Sequence, residues 1–122
     1  MARILVIDDE PLVALVIRRA LEDAHQVTVQ ASAPAALALI REGDRFDAIL
    51  TDLHMPDGDG LWLREQLEGI DPSLPSRMLF LTGGAAHEKE REFLGRPGVR
   101  WLAKPFRAAE LIGRVEELLS GS

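Results

Sequence analysis

The stretch that decides the fold is Ile4-Leu5-Val6-Ile7-Asp8-Asp9-Glu10-Pro11, residues 4–11. Its first four residues are apolar and mostly β-branched, which is typical of a strand buried on both faces. Three acidic residues follow at once, and Pro11 suits the first turn of a helix. The stretch therefore predicts a buried strand that ends in a group of carboxylates and leads directly into a helix.

The same alternation of strand and helix recurs along the rest of the chain. Short apolar runs predict further strands at 27–29, 48–50, 78–81 and 99–102. Helical spacing of apolar residues predicts helices at 11–24, between Ser32 and Gly43, at about 61–68, near 88–94 and at 108–119. Five such units predict a flavodoxin-like (βα)5 fold, a doubly wound parallel sheet with the strand order 2-1-3-4-5.

Length and composition are those of one small globular domain. The chain has 122 residues, of which 47% are apolar and 28% are charged, close to the globular average. This size suits a single domain with a real core. We expect that domain to span residues 1–119, and we interpret 120–122 as a tail, the start of a linker or a cloning remnant.

Charge and residue usage exclude several classes of protein. The net charge of −6 argues against a nucleic-acid-binding module, which needs a basic surface. Residues 1–60 hold 11 acids and 5 bases, whereas 61–122 hold 9 of each, so the acidity needs a local explanation. There is no cysteine, which excludes thiolate metal sites and disulfides. No apolar run approaches the roughly 20 residues of a membrane span, so we expect a cytoplasmic protein without membrane insertion.

Polar residues follow the predicted strands at the edge where such sheets bind ligands. They are Asp8, Asp9, Glu10, Asp52, Thr82 and Lys104. Two like charges about 4 Å apart repel by roughly 4 kcal/mol at an effective dielectric of 20, so the carboxylates need a cation. Carboxylate oxygens without cysteine or a histidine pair favour a hard cation, and we predict Mg²⁺.

This combination of groups is typical of phosphoryl transfer. An aspartate carboxylate can accept a phosphoryl group and form an acyl phosphate. A lysine provides a compact positive charge for phosphate oxygens, and a threonine hydroxyl provides a donor. Positioning and charge neutralisation then do most of the catalysis.

At this point the chain resembles the receiver domain of two-component response regulators. The resemblance covers essentially the whole chain, and four motifs carry it: Val6–Pro11, Thr51–Gly60, Leu81-Thr82-Gly83 and Lys104-Pro105-Phe106. Each motif is weak alone, but all four in this order at these strand ends are highly specific.

The resemblance implies a role for each site residue. Asp52 would be the phosphoacceptor, and Mg²⁺ would be held by Asp8, Asp9, Asp52 and the backbone carbonyl of His54. Thr82 and Lys104 would contact the phosphoryl group, and the Lys104–Pro105 peptide bond would be cis. Trp101 stands where the family has its switch aromatic, which reorients when Thr82 shifts.

Two positions depart from the family pattern. The switch position usually holds Tyr or Phe, and Trp101 is bulkier, although Gly83 leaves room beside Thr82. His54 lies two residues after the phosphoacceptor, where the side chain can influence dephosphorylation in this family.

The implied function is a phosphorylatable switch. A histidine kinase or a histidine phosphotransfer protein would phosphorylate Asp52, and the change would alter the helix 4–strand 5–helix 5 face for an output partner. The domain would assist only its own phosphorylation and dephosphorylation, and so would not be an enzyme. It would be a stand-alone response regulator or part of a hybrid sensor histidine kinase, and homodimer formation stays open.

Two alternatives remain. One is a Mg²⁺-dependent phosphohydrolase acting through an aspartyl phosphate, as in the haloacid dehalogenase family. That family has Asp-x-Asp at the nucleophile, whereas the second position here is His54. The other is a binding-only pseudo-receiver, against which the intact acidic set argues. We interpret Asp57 and Asp59 as turn residues, and His25 and His87 as surface residues.

Overall fold

The computed structural model describes residues 1–55, 59–83 and 88–121. Asp57 and His87 lie outside these ranges. The described residues form one five-stranded sheet whose strands are all parallel and follow the order β2-β1-β3-β4-β5. The strands are β1 Arg3–Ile7, β2 Gln26–Gln30, β3 Ala48–Asp52, β4 Met78–Thr82 and β5 Trp101–Ala103. The predicted flavodoxin-like fold and its strand order are confirmed.

Helices connect the strands and cover both faces of the sheet. They are α1 Pro11–Leu21, α2 Ala33–Arg41, α3 Gly60–Ile70, α4 Glu88–Leu94 and α5 Ala108–Leu119, and a short 3₁₀ helix, Leu74–Arg77, precedes β4. Local signals set two of the starts. The Ser32 hydroxyl accepts a hydrogen bond from the Ala35 amide, and the Asp59 carboxylate accepts one from the Trp62 amide.

The sheet separates two hydrophobic cores, because alternate residues of each strand point to opposite faces. Leu5 and Ile7 of β1 belong to the core under α2, α3 and α4. Ile4 and Val6 belong to the core under α1 and α5. Both sets are fully buried, which is the reason that the strand sequence reads as one continuous apolar run.

Several predicted element ends were wrong by a few residues. Helix α1 ends at Leu21 rather than at residue 24, because the amides of Ala24 and His25 both turn back to the Leu21 carbonyl. Strand β5 covers Trp101–Ala103 rather than 99–102, since the Val99 amide closes a turn onto the Arg96 carbonyl. The apolar pattern alone does not distinguish such turns from strand.

The prediction that His25 is a surface residue was also wrong. Its side chain is 10% exposed. Its Nδ1 accepts a hydrogen bond from the Ala2 amide, and its Nε2 lies 3.1 Å from Oε1 of Glu116 on α5. His25 therefore joins the start of β1 to the end of α5.

Candidate functional site

The two aspartates predicted at the centre of the site lie at adjacent strand ends. Asp8 directly follows β1, and Asp52 is the last residue of β3, the neighbour of β1. Asp8 is 2% exposed and Asp52 is 5% exposed. Charged residues are almost never this buried unless they have partners, so the contacts of these carboxylates define the site.

Each carboxylate is fixed by a backbone amide two residues further along the chain. The Glu10 amide donates to Oδ1 of Asp8 over 2.9 Å, and the His54 amide donates to Oδ1 of Asp52 over 3.2 Å. Such local bonds are characteristic of aspartate in turns. They orient both side chains and leave the two Oδ2 atoms for other partners.

Lys104 is the partner that the two carboxylates share. Its Nζ lies 3.3 Å from Oδ2 of Asp8 and 3.3 Å from Oδ2 of Asp52. The Lys104 amide donates to the Thr82 carbonyl over 2.7 Å, which extends the β4–β5 ladder by one residue. The Lys104–Pro105 peptide bond is cis. Residues separated by up to 96 positions thus meet at one point.

Burial and the neighbouring charges shift two pKa values in this group. Burial raises the pKa of Asp52 above its usual 3.8, and the opposing effects of Lys104 and of the His54 amide do not fully offset it. Burial by itself would lower the pKa of Lys104, but the charges of Asp52 and Asp8 outweigh it and the pKa is raised. The site therefore stabilises the charged form of Lys104 and destabilises the charged form of Asp52.

Four acidic residues offer oxygens for a cation. One carboxylate oxygen from each of Asp8, Asp9, Glu10 and Asp52 lies within 4.8 Å of the others. Asp9 and Glu10 are exposed, whereas Asp8 and Asp52 are buried. An all-oxygen set with several negative charges fits a hard divalent ion such as Mg²⁺. Glu10 joins this group as well, although the family resemblance gives it no ligand role.

The site opens into a cleft of about 680 Å³. Its charged and polar lining consists of Asp9, Glu10, Asp52, His54 and Lys104. Its apolar lining consists of Leu12, Val13, Val16, Pro105 and Phe106. The cleft is therefore a charged centre with an apolar rim.

Thr82 and Trp101 lie on the far side of Asp52. The register pairs Asp52 with Leu81, so Thr82 lies one residue past that pair, and it is 5% exposed. Among the residues that the structure describes, a Cβ added at Gly83 would meet only Lys104 Cδ, at 3.9 Å, so these residues leave space beside Thr82. Trp101 is 41% exposed, and its carbonyl accepts a hydrogen bond from Arg114 over 3.0 Å.

A family model described as the response regulator receiver domain matches residues 4–116. The chain belongs to this family. The receiver is 34% identical over 111 residues to a two-component response regulator of rice, Oryza sativa subspecies indica. That alignment covers 89% of the receiver but only 16% of the rice protein.

Solved structures of other receivers share the fold. A response regulator receiver protein from Sinorhizobium medicae is 32% identical, with a TM-score of 0.84 and coverage of 98% and 94% of the two chains. The receiver domain of a signal transduction histidine kinase from Syntrophus aciditrophicus is 27% identical, with a TM-score of 0.85 and coverage of 99% and 92%. In the described part of this receiver, no helix is both long and apolar enough to cross a membrane.

One contact of the receiver site was missed by sequence reasoning. Nε2 of His54 lies 2.7 Å from Oε2 of Glu90 on α4. The two residues are far apart in the sequence and belong to different structural units, so no spacing rule joins them. This contact links the loop after β3 to α4.

Proposed function

We propose that Asp52 accepts a phosphoryl group from a histidine kinase or a histidine phosphotransfer protein, with Mg²⁺ as the cofactor. The observation that carries the proposal is the shared position of Lys104, 3.3 Å from the buried carboxylates of Asp8 and Asp52. This arrangement holds an oriented nucleophile beside a fixed positive charge, and phosphoryl transfer depends mainly on positioning and charge neutralisation.

Each residue then has a defined task. A carboxylate oxygen of Asp52 forms a bond to phosphorus as the phosphorus–nitrogen bond of the donor phosphohistidine breaks. Lys104 provides positive charge for a phosphoryl oxygen, and the Thr82 hydroxyl provides a hydrogen-bond donor. Asp8, Asp9, Asp52 and the His54 carbonyl would hold Mg²⁺, which supplies further charge compensation when bound.

The apolar rim of the cleft supports a protein as the phosphoryl donor. Leu12 is 77% exposed and Val16 is 58% exposed, and both line the cleft that contains Asp52. Large apolar side chains exposed together are characteristic of protein interaction sites. A donor protein docked on this part of α1 would bring its phosphohistidine to the mouth of the cleft.

The output surface in this proposal is the face formed by α4, β5 and α5, which includes Trp101. A new phosphoryl charge on Asp52 would draw Thr82 toward it, and Trp101 would respond on the neighbouring strand. The domain acts in the cytoplasm, alone or within a larger protein such as a hybrid kinase. It promotes only its own phosphorylation and dephosphorylation and is not a general phosphatase.

Intact-protein mass spectrometry after incubation with acetyl phosphate tests the proposal. We expect one added phosphoryl group, dependent on Mg²⁺ and absent in Asp52→Asn. An adduct that persists in Asp52→Asn would show that a residue other than Asp52 accepts the phosphoryl group. Release of many equivalents of phosphate from small phosphate esters would instead favour the phosphohydrolase.

A further inference from the structure

Glu90 carries a carboxylate oxygen that depends on His54. The Glu90 side chain is 12% exposed, and its Oε2 lies 2.7 Å from Nε2 of His54. This oxygen is fully buried, and no donor in the described part of the chain meets it with hydrogen-bond alignment. The imidazole of His54 is therefore the group that the structure places beside this buried oxygen of α4.

His54 also belongs to the phosphorylation site. Its backbone amide donates a hydrogen bond to Oδ1 of Asp52 over 3.2 Å, and His54 lines the same cleft as Asp52. The imidazole is 51% exposed, so it has space to move. One residue thus touches the proposed phosphoacceptor through its backbone and helix α4 through its side chain.

We propose that the His54 imidazole is an exchangeable link between the phosphorylation site and helix α4. It pairs with Glu90 while Asp52 is free, and it turns to the phosphoryl oxygens once Asp52 is modified. This inference rests on the proposed function. The reason for the exchange is charge: a phosphoryl group brings more than one negative charge and three strong acceptors, whereas Glu90 offers one carboxylate.

The exchange has a consequence for α4. Once His54 leaves, the buried Oε2 of Glu90 loses its neighbour, and a buried carboxylate without a partner is costly. The Glu90 end of the helix must then shift to admit water. The other end stays anchored, because the Phe93 ring packs edge-on against Phe80 of β4 with centroids 5.1 Å apart. Phosphorylation would therefore loosen α4 at one end only.

A double-mutant cycle on beryllofluoride affinity tests the link. Beryllofluoride imitates the phosphoryl group, and its binding is followed by fluorine NMR with Mg²⁺ in excess. Glu90→Gln keeps the size of the side chain but removes the charge that competes for His54. We expect it to tighten binding about threefold, the size of a weak, partly exposed side-chain contact, because the two ligands of His54 are reciprocally coupled.

The His54→Ala background separates the link from simple charge repulsion. There, Glu90→Gln should leave beryllofluoride affinity unchanged, since no imidazole remains to be shared. An equal tightening in that background, or the absence of tightening in wild type, would overturn the proposal. Glu92→Gln is the matched control, because Glu92 lies on the same helix, is 72% exposed and pairs with Arg96 instead.

Amide hydrogen exchange over 88–94 gives a second measurement. We expect beryllofluoride to speed exchange in the wild-type helix, and Glu90→Gln to speed it without beryllofluoride. Exchange that stays unchanged in both cases would contradict the link. If the wild-type chain neither binds beryllofluoride nor takes a phosphoryl group from acetyl phosphate, the proposed function itself fails. If the wild type binds beryllofluoride normally and Glu90→Gln changes neither the affinity nor the amide exchange, only the proposed link between His54 and α4 is overturned.

Discussion

The ammonium group of Lys104 lies 3.3 Å from Oδ2 of Asp52, and it lies at the same distance from Oδ2 of Asp8. One cation therefore compensates two buried carboxylates, and exposed Asp9 and Glu10 add further negative charge beside them. Part of the charge at the site remains uncompensated. This imbalance favours binding of a divalent cation, and the burial of Asp52 makes the stability of the domain depend on pH.

Replacing Asp52 by Asn should stabilise the metal-free domain at neutral pH. The pKa of Asp52 is raised in the folded state above its usual 3.8. As the pH rises, the Asp52 carboxyl group therefore loses its proton in the unfolded chain before it does so in the folded domain. The stabilising contribution of Asp52 is therefore fully present below pH 3.8, and it is lost as the pH rises through the raised pKa of the folded state. We expect a gain on the order of 1 kcal/mol near pH 7, a typical size for a single substitution.

Urea unfolding at several pH values without divalent ions checks this sign. The advantage of Asp52→Asn should shrink as the pH falls toward about 4. Asp71→Asn provides a control of opposite sign, since the Ser73 amide and hydroxyl lower the pKa of Asp71. That variant should lose stability at neutral pH relative to acid. A constant advantage for Asp52→Asn at every pH would contradict the electrostatic account.

Lys104→Met should destabilise the metal-free domain by about 3 kcal/mol, because it leaves two buried carboxylates without their shared cation. The side chain of Lys104 is 17% exposed, so water replaces little of the lost charge. Adding Asp52→Asn should restore part of the loss by removing one of those carboxylates. Urea denaturation of the two single variants and the double variant measures this coupling. Strictly additive effects would show that Lys104 and Asp52 do not interact.

Asp9→Asn should remove the stabilisation by Mg²⁺ without changing the metal-free domain. Asp9 is exposed, so its loss should change the free energy of unfolding by less than about 0.5 kcal/mol. Mg²⁺ at a hundredfold excess over its dissociation constant should stabilise the wild type by about 2.7 kcal/mol. Thermal melts with and without Mg²⁺ provide the measurement. Asp23→Asn, another exposed acid, should keep the full Mg²⁺ effect, and equal shifts in all three proteins would argue against Asp9 as a ligand.

The sequence was sufficient to predict that Asp8, Asp52, Thr82 and Lys104 lie together at one edge of the sheet. A parallel sheet places the carboxyl ends of all its strands at one edge, so residues that follow different strands meet there once the strand order is known. The continuous apolar runs at β1 and β4 indicated strands that are buried on both faces, and the five alternating strand–helix units then predicted the strand order. The fold and the centre of the site follow from short-range signals.

The contacts of His54 and His25 could not be predicted in the same way. His54 meets Glu90 across the gap between a loop and α4, and His25 meets Glu116 at the end of α5. Each contact depends on how two separate helices or loops pack on the sheet, and the periodicity of apolar residues does not predict the distance between their side chains. The start of β5 was placed too early for a related reason: the Val99 amide closes a turn, and the apolar character of Val99 does not distinguish that turn from a strand.

Leu12→Ser should slow phosphoryl transfer from a protein donor while leaving acetyl phosphate uptake unchanged. Leu12 is 77% exposed and lines the apolar rim of the cleft, but it makes no contribution to the charged centre. We expect about a tenfold slower transfer from a phosphorylated histidine kinase that serves the wild-type domain, as for truncation of an interface anchor. Ile112→Ser on α5, also exposed at 40%, is the control. Equal loss with acetyl phosphate would mean that Leu12 supports the site itself.

Gly60→Ala and Gly113→Ala should have opposite effects on stability. A Cβ at Gly60 would lie 3.1 Å from the Asp52 carbonyl and 3.1 Å from Phe80 Cδ1. Helix α3 must then move away from the strand end that carries Asp52, at a cost of about 1–3 kcal/mol. In the described part of the chain, a Cβ at Gly113, inside α5, meets no atom within 4 Å apart from its own helix backbone, so alanine should stabilise that helix by up to about 1 kcal/mol.

The same pair of glycine variants also tests whether the start of α3 positions the phosphoacceptor. Gly60→Ala should slow phosphoryl uptake from acetyl phosphate, because the carbonyl that its Cβ approaches belongs to Asp52 itself. Gly113→Ala lies on the opposite side of the sheet and should take up the phosphoryl group at the wild-type rate. Normal uptake by a destabilised Gly60→Ala would show that the close contact supports only the fold, since helix α3 can then shift without disturbing the Asp52 carboxylate.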